Sequence, residues 1–281
     1  KQMIDDVRDW SYWLPDDLLA VAGVPRSGVL PAFHLALHRN IHLVTLEVLK
    51  AGLRPWERPL RRFVTAKTEG RVLIVEDSLN TGGTLQRVRS ELGEAARYLY
   101  GAVYFQEPRP GIADFLYRRV PLPRCFEWNL FHSSYIECAC LDLDGVLCSE
   151  PPCQEQDRGP EHQHWLDHLE GAAPMYLPGR RVKAIVTSRL EKYRPQTEAW
   201  LQRHGVRYGE LVMSPHPTAA ARRAAADHAY RKAEYYRHKA DACLFVESSL
   251  WQAREIAQLS EKPVICTESM QVFHSENSFH Y

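Results

Sequence analysis

Short unbroken apolar runs recur along the chain, and each is followed by a stretch whose apolar positions return every three or four residues. LLAVAGV (18–24) precedes LPAFHLALHRN, RVLIVED (71–77) precedes TLQRVRSELGEAARYL, and YGAVYFQE (100–107) comes next. A short apolar run bounded by turn residues predicts a buried strand, and a 3.6-residue period predicts a helix packed on it. Strands alternating with helices predict a parallel sheet with crossover helices. The same grammar restarts with CACLDLDGVL (138–147), VKAIVTS (182–188), ACLFVESS (242–249) and KPVICTE (262–268). The stretch EPRPGIADFLYRRVPLPRCFEWNLFHSS between the two sets is rich in proline and aromatics and predicts a linker, with the boundary near residue 133. Two α/β domains are expected, 1–133 and 134–281, each a mostly parallel sheet flanked by helices, with ligands at the carboxyl ends of the strands.

Composition narrows this little. The chain has 281 residues, 45% of them hydrophobic and 25% charged, enough for packed cores and against disorder. The formal net charge is zero, so no nucleic-acid partner is expected from bulk electrostatics. No apolar run approaches the roughly 18 residues of a membrane span. The first residues, KQMIDDVRDW, carry neither the apolar stretch of a signal peptide nor an initiator Met, which suits a piece of a longer chain. Seven cysteines follow no disulfide framework; Cys138, Cys140 and Cys148 flank an apolar strand, where free thiols act as small hydrophobes. A reducing, cytoplasmic compartment is expected. Zinc at Cys138, Cys140, Cys148 and Cys153 is disfavoured because the C-x₂₋₄-C spacing is missing.

In the first domain, Glu76 and Asp77 end an apolar strand and are followed by Ser78, Asn80, Thr81, Gly82, Gly83 and Thr84, then a helix. Glycines let backbone N–H groups turn inward, hydroxyls add donors, and a helix N-terminus favours an anion, so the loop suits a phosphate. Two acids do not favour phosphate and must face something else, such as sugar hydroxyls, Mg²⁺ or a developing positive charge. VAGVPRSGVLPA (21–32) is a second strand, Gly-rich loop and helix. Together these segments resemble the type I phosphoribosyltransferases, over about residues 15–110. The resemblance implies that the loop 78–84 binds the 5-phosphate of phosphoribosyl pyrophosphate (PRPP), and that Pro25, Arg26, Ser27 and Gly28 grip its pyrophosphate. It also implies that Asp77 and Glu76 hold the ribose hydroxyls and favour an oxocarbenium-like transition state, with Mg²⁺ bridging. Purine-salvage members usually carry Asp where Asn80 stands, and no base-binding hood is evident, which points away from an ordinary purine acceptor.

In the second domain, CLDLDGVLCSE places Asp142 and Asp144 at a strand end. The pattern resembles motif I of the haloacid dehalogenase (HAD) superfamily. The resemblance implies that Asp142 is a nucleophile forming an aspartyl-phosphate and Asp144 the general acid and base. KAIVTSR matches the second motif at Thr187, with Ser188 behind it; Lys232, in preference to Lys239, supplies the lysine; LFVESSLWQAREIA supplies Glu247. Mg²⁺ held by Asp142, Asp144 and Glu247 is implied. A second acid often follows in that last motif, where Ser248 and Ser249 stand here. The insert 149–180 is expected to form a small cap; its His162, His164 and His168 read as a solvated helix face rather than a metal site. RRAAADHAYRKAEYYRHK (222–239) reads as one amphipathic helix whose aromatics pack.

The pairing resembles the phosphoribosyltransferase–phosphatase modules of bacterial surface-polysaccharide (O-antigen or capsule) assembly. These transfer a phosphoribosyl group from PRPP to a glycan and then remove its phosphate to leave ribofuranose. That implies a glycan acceptor, in all expectation lipid-linked, a conventional glycosyltransferase domain on the same longer chain, and a place peripheral to the inner face of the cytoplasmic membrane. The alternatives are a nucleobase-like acceptor with a coupled nucleotide 5-phosphatase, or a regulatory PRPP-binding module.

Overall fold

The computed structural model describes residues 2–54, 69–93, 96–120, 124, 126 and 129–275. The chain divides into two compact units, Lys1–Arg124 and Cys125–Tyr281, each α/β with its own sheet flanked by helices.

In chain order the first unit holds α1 (Gln2–Ser11), β1 (Leu18–Gly23), α2 (Val29–Arg39), β2 (His42–Val44), α3 (Leu46–Lys50), β3 (Arg71–Leu79), α4 (Gly83–Leu92), β4 (Tyr98–Phe105) and β5 (Phe115–Arg119). The strands form one sheet in the order β2-β1-β3-β4-β5, parallel throughout. All six residues of β1 are buried, as its continuous apolar run requires of a strand covered on both faces. Ala20, Ala22, Val72, Ile74, Tyr100 and Ala102 pack with Leu85 and Val88 of α4. Each fully buried large apolar side chain contributes about 1.5–3 kcal/mol.

Two expectations change here. β3 does not end at Glu76 and Asp77: it stays paired with β4 through Ser78↔Tyr104 and Leu79↔Phe105, so both acids lie inside the strand. The stretch expected as linker contributes β5, because Phe115 and Leu116 pair with Gly101 and Ala102 and extend the sheet by one strand.

The second unit holds β6 (Ala139–Leu141), α5 (Pro160–Gly171), β7 (Val182–Leu190), α6 (Arg194–Arg203), β8 (Tyr208–Ser214), α7 (Ala219–Ala225), α8 (His228–His238), β9 (Leu244–Glu247), α9 (Leu250–Ser260), β10 (Val264–Cys266) and β11 (Gln271–Phe273). The sheet order is β11-β10-β9-β6-β7-β8, with β11 antiparallel and the rest parallel. The expected single helix over 222–239 is two, broken where Ala226 takes a left-handed conformation (φ 48°). Tyr236 is fully buried against Phe245, while Tyr230 is exposed. Cys138 is not a free thiol: it is bonded to Cys243 across 105 residues, with the Cα atoms 5.5 Å apart, because the two residues lie just before the neighbouring strands β6 and β9. Cys140, Cys148 and Cys266 are free and buried. Among the described residues no helix is long and apolar enough to cross a membrane.

Candidate active sites at two switch points

An open parallel sheet leaves a crevice where neighbouring strands send their connections in opposite directions, outside the carboxyl ends. In the first unit that place lies between β1 and β3, since β1 has β2 on its other side. The loop Val24–Gly28 leaves β1 and the loop Asn80–Gly82 leaves β3. The two expected ligand loops are thus brought side by side. Val24 N–H donates to Val75 O (2.8 Å), which fastens the first loop to β3. A Cβ on Gly28 would lie 2.5 Å from Val75 O, so only glycine passes here. Pro25 and Arg26 are exposed, Ser27 half-buried, and the Pro25–Arg26 peptide is cis. On the other loop Gly82 has φ +83° and caps α4; Asn80, Thr81 and Gly83 are exposed and Thr84 is half-buried. Gly83 N–H donates to Thr81 Oγ1 at 3.5 Å.

Neighbouring residues of a strand point to opposite faces, and the two acids separate accordingly. Asp77 is 6% exposed, and the nearby Ser27 and Ser78 hydroxyls favour its charged form; Glu76 is half-buried, and Thr84 favours its charged form. Burial raises the Asp77 pKa, and those hydroxyls only partly offset it. Burial, then the charge of Asp77, pushes Glu76 up to about 7. Two residues that pattern reading missed steady the loop after β3: Arg109 Nε donates to Asn80 O (2.9 Å) and Arg124 Nη2 to Leu79 O (3.2 Å). Nothing in the local motif marks them, because the chain reaches the loop again only after crossing β4.

In the second unit the switch point lies between β6 and β9. Asp142 follows β6 and Glu247 ends β9, and Asp142 N–H donates to Val246 O (2.9 Å). Lys232, on α8, reaches between them: its Nζ lies 2.7 Å from Asp142 Oδ2, 2.7 Å from Glu247 Oε2 and 3.1 Å from Gln252 Oε1. Lys232 and Glu247 are 2% and 0% exposed. Burial lowers the Lys232 pKa, but the two adjacent carboxylates outweigh it, so the ammonium persists. Burial raises Asp142; Lys232 opposes that rise and Glu247 adds to it. Lys239 pairs instead with Glu210.

Asp144 turns elsewhere. Arg189 Nε and Nη2 donate to its two oxygens at 2.9 and 2.6 Å, and His168 Nε2 lies 3.0 Å from Oδ1. Burial alone would raise Asp144, but the Arg189 charge outweighs it and holds the carboxyl far below its usual range. To give up a proton, Asp144 would first have to leave this clamp. Asp144, Cys148 and His168 come within metal-ligating distance of one another. Arg189 Nη2, however, touches all three, so a guanidinium already occupies that place.

The ladder between β7 and β8 loses register between Val186 and Leu190, which frees Thr187, Ser188 and Arg189 to serve the site. Thr187 is buried and its Oγ1 accepts from Arg189 N–H (3.2 Å); Ser188 Oγ lies 3.2 Å from His228 Nδ1. Thr187, Ser188, His228, Arg231 and Lys232 line one narrow crevice. Of the cap histidines, His168 is buried at Asp144, His162 contacts Gln156 O and His164 is exposed, so the three do not converge. Arg189 had a signal in the sequence, a charged residue inside an apolar strand, and His168 had one in its spacing with Trp165 and Leu169 on the buried face of α5.

Mg²⁺ implied by the resemblance meets hard oxygen donors here, which suit it. The three carboxylates expected to hold it do not converge: Asp144 faces Arg189, and Glu247 is taken by Lys232 and by the N–H groups of Ser248 (3.0 Å) and Ser249 (3.1 Å). The Asp142 carboxylate is engaged too, Oδ1 by Leu143 N–H (2.7 Å) and Oδ2 by Lys232, while the Asp144 carbonyl has the Ser248 hydroxyl as its neighbour (3.3 Å).

No family model matches the chain, and no curated protein matches it. Among solved structures, the purine phosphoribosyltransferase from Pyrococcus horikoshii OT3 aligns over 42% of this chain and 83% of its own at 20% identity, with a TM-score of 0.30. The xanthine-guanine-hypoxanthine phosphoribosyltransferase of Helicobacter pylori aligns over 45% of this chain and 87% of its own at 14% identity, with a TM-score of 0.32.

Proposed function

We propose that the chain is a bifunctional ribofuranosyl-transfer enzyme: the first unit moves a phosphoribosyl group from PRPP to a glycan hydroxyl, and the second removes the 5-phosphate. The observation that carries this is the presence on one chain of two switch-point sites, one with the consecutive acids Glu76 and Asp77 in β3 beside two anion-ready loops, the other with Asp142 gripped by buried Lys232.

In the first step the loop Ser78–Thr84 and the start of α4 hold the 5-phosphate through N–H groups and hydroxyls. Arg26, Ser27 and Gly28 hold the pyrophosphate. Asp77 and Glu76 hold the ribose hydroxyls, and their charge favours the cationic transition state. The acceptor oxygen bonds to the anomeric carbon as the bond to pyrophosphate breaks, and the acceptor proton leaves with the pyrophosphate. Asn80 offers no acid–base function, which suits a sugar hydroxyl.

In the second step an Asp142 oxygen bonds to phosphorus as the ester bond breaks, and the leaving sugar oxygen takes a proton from solvent to become a hydroxyl, a proton that the following hydrolysis returns. Water then cleaves the aspartyl-phosphate, returning Asp142 and releasing phosphate. Thr187 and Ser188 bind the phosphoryl oxygens, and Lys232 orients Asp142 and offsets its charge. Mg²⁺, when bound, offsets the repulsion between a carboxylate and a phosphate dianion.

The test is mass spectrometry of products formed from PRPP with a panel of glycans and free nucleobases. The expected product is a glycan heavier by a ribose, and by a ribose phosphate in Asp142→Asn. A nucleotide or nucleoside made from a free base, with every glycan inert, would overturn the glycan assignment.

A further inference from the structure

Ser248 stands where a carboxylate would normally complete a metal-binding motif. Its Oγ is surrounded by acceptors: Glu150 Oε1 at 2.8 Å, Asp144 O at 3.3 Å and Glu247 Oε1 at 3.4 Å. A hydroxyl has one proton, so it satisfies one of the three at a time. Glu247 Oε1 has two backbone N–H donors besides. Glu150 has no other partner among the described residues. The result is a carboxylate, a carbonyl and a hydroxyl with fewer donors than acceptors, a hard-oxygen arrangement that a divalent cation would complete.

The chain makes room for this. Gly145 has φ +76°, and a Cβ there would overlap Glu150 Oε1 and come within 2.5 Å of Ser248 Oγ. The glycine after Asp144 therefore leaves space for the Glu150 carboxylate as well as permitting a turn. Glu150 is also exposed on its outer side, where Ser149, Glu150, Asp167 and His168 line an open groove of about 530 Å³. Hydrated cations can reach it from there.

We infer that Glu150 is a Mg²⁺ ligand, supplying from the loop after Asp144 the carboxylate that Ser248 lacks, together with the Asp144 carbonyl and the Ser248 hydroxyl. This rests on the hydrolase half of the proposed function. It replaces the Asp144 and Glu247 carboxylates, which protein cations and amides already engage, with a residue eight positions after Asp142 that no motif marks.

Calorimetric titration of the whole chain with MgCl₂, and with MnCl₂ followed by electron paramagnetic resonance, tests it without turnover. The expected result is that Glu150→Ala weakens the cation affinity at least tenfold, and that adding Ser248→Asp to that variant restores it. Unchanged affinity in Glu150→Ala, or no cation binding by the wild type, overturns the inference. Hydrolysis of p-nitrophenyl phosphate is followed alongside. Glu150-dependent cation binding with no hydrolysis would remove the phosphatase reading and leave the site standing. Hydrolysis with cation affinity indifferent to Glu150 would do the reverse.

Discussion

Arg189 Nη2 lies 2.6 Å from Asp144 Oδ1, and its Nε 2.9 Å from Oδ2, with the guanidinium wholly withdrawn from solvent. Each partner stands two residues beyond a residue that the motifs mark for chemistry, Asp142 and Thr187. Asp142 therefore lies beside a fixed ion pair, and that pair separates the two aspartates into different environments, one facing Lys232 and one facing Arg189.

Removing one member of a buried pair leaves an unpaired charge and costs about 3–5 kcal/mol. Arg189→Met should lower the urea midpoint of the second unit accordingly. The sign with pH follows from the depressed Asp144 pKa. The stabilisation is present above the ordinary carboxyl value of 3.8 and is lost as pH falls toward the folded-state value. The gap between wild type and Arg189→Met in urea melts should be full at pH 7 and close in acid.

Asp142→Asn should reduce release of inorganic phosphate from a phosphomonoester by at least about a thousandfold, the scale seen when a nucleophile is removed. It should leave pyrophosphate release from PRPP within about twofold, because the first unit carries its own site. Separate assays of the two products check this, and loss of both activities together would point to misfolding or to a shared site.

Glu76 is pushed up to about 7 by burial and by Asp77. Its anionic form is the one that would hold ribose hydroxyls, so PRPP affinity should rise with pH through about 7. In Glu76→Gln the affinity should be lower, and the step near 7 should vanish. Stability has the opposite sign: a raised acid pKa stabilises the fold below the ordinary value of 4.5 and loses that contribution as pH rises through about 7. Calorimetric PRPP titrations between pH 5.5 and 8.5, roughly 1.5 units either side of that step, would resolve it.

Glycines that look alike in the sequence should behave differently. Gly28→Ala drives a Cβ to 2.5 Å from the backbone oxygen of Val75 and should cost more than about 2 kcal/mol. Gly82→Ala meets both φ +83° and Ile112 Cδ1 at 2.6 Å, for about 1–2 kcal/mol of backbone strain plus repacking. Gly83→Ala meets only Thr81 Oγ1 at 3.7 Å in the first turn of α4 and should be neutral or slightly stabilising. Thermal melts of the three variants give the ranking.

Pattern alone determined that this chain alternates buried strands with amphipathic helices twice over, since an apolar run and a 3.6-residue period are local properties of neighbouring residues. It also singled out Arg26, Asp77 and Asp142 as candidates, because charged residues and glycines at the ends of apolar runs stand out without any knowledge of the fold, whereas Lys232, inside α8, was picked out only by the family resemblance. Tertiary structure decided what those residues face. Glu76 and Asp77 diverge because β4 keeps pairing past Val75 and holds both acids in a strand, where neighbours alternate. Asp144 is clamped because a break in register between β7 and β8 frees Arg189 to meet it, and Arg189 lies 45 residues away in the chain. Cys138 and Cys243 join because β6 and β9 are neighbours in the sheet order and not in the sequence. Each of these depends on pairing between distant segments, and no local period along the chain carries that information.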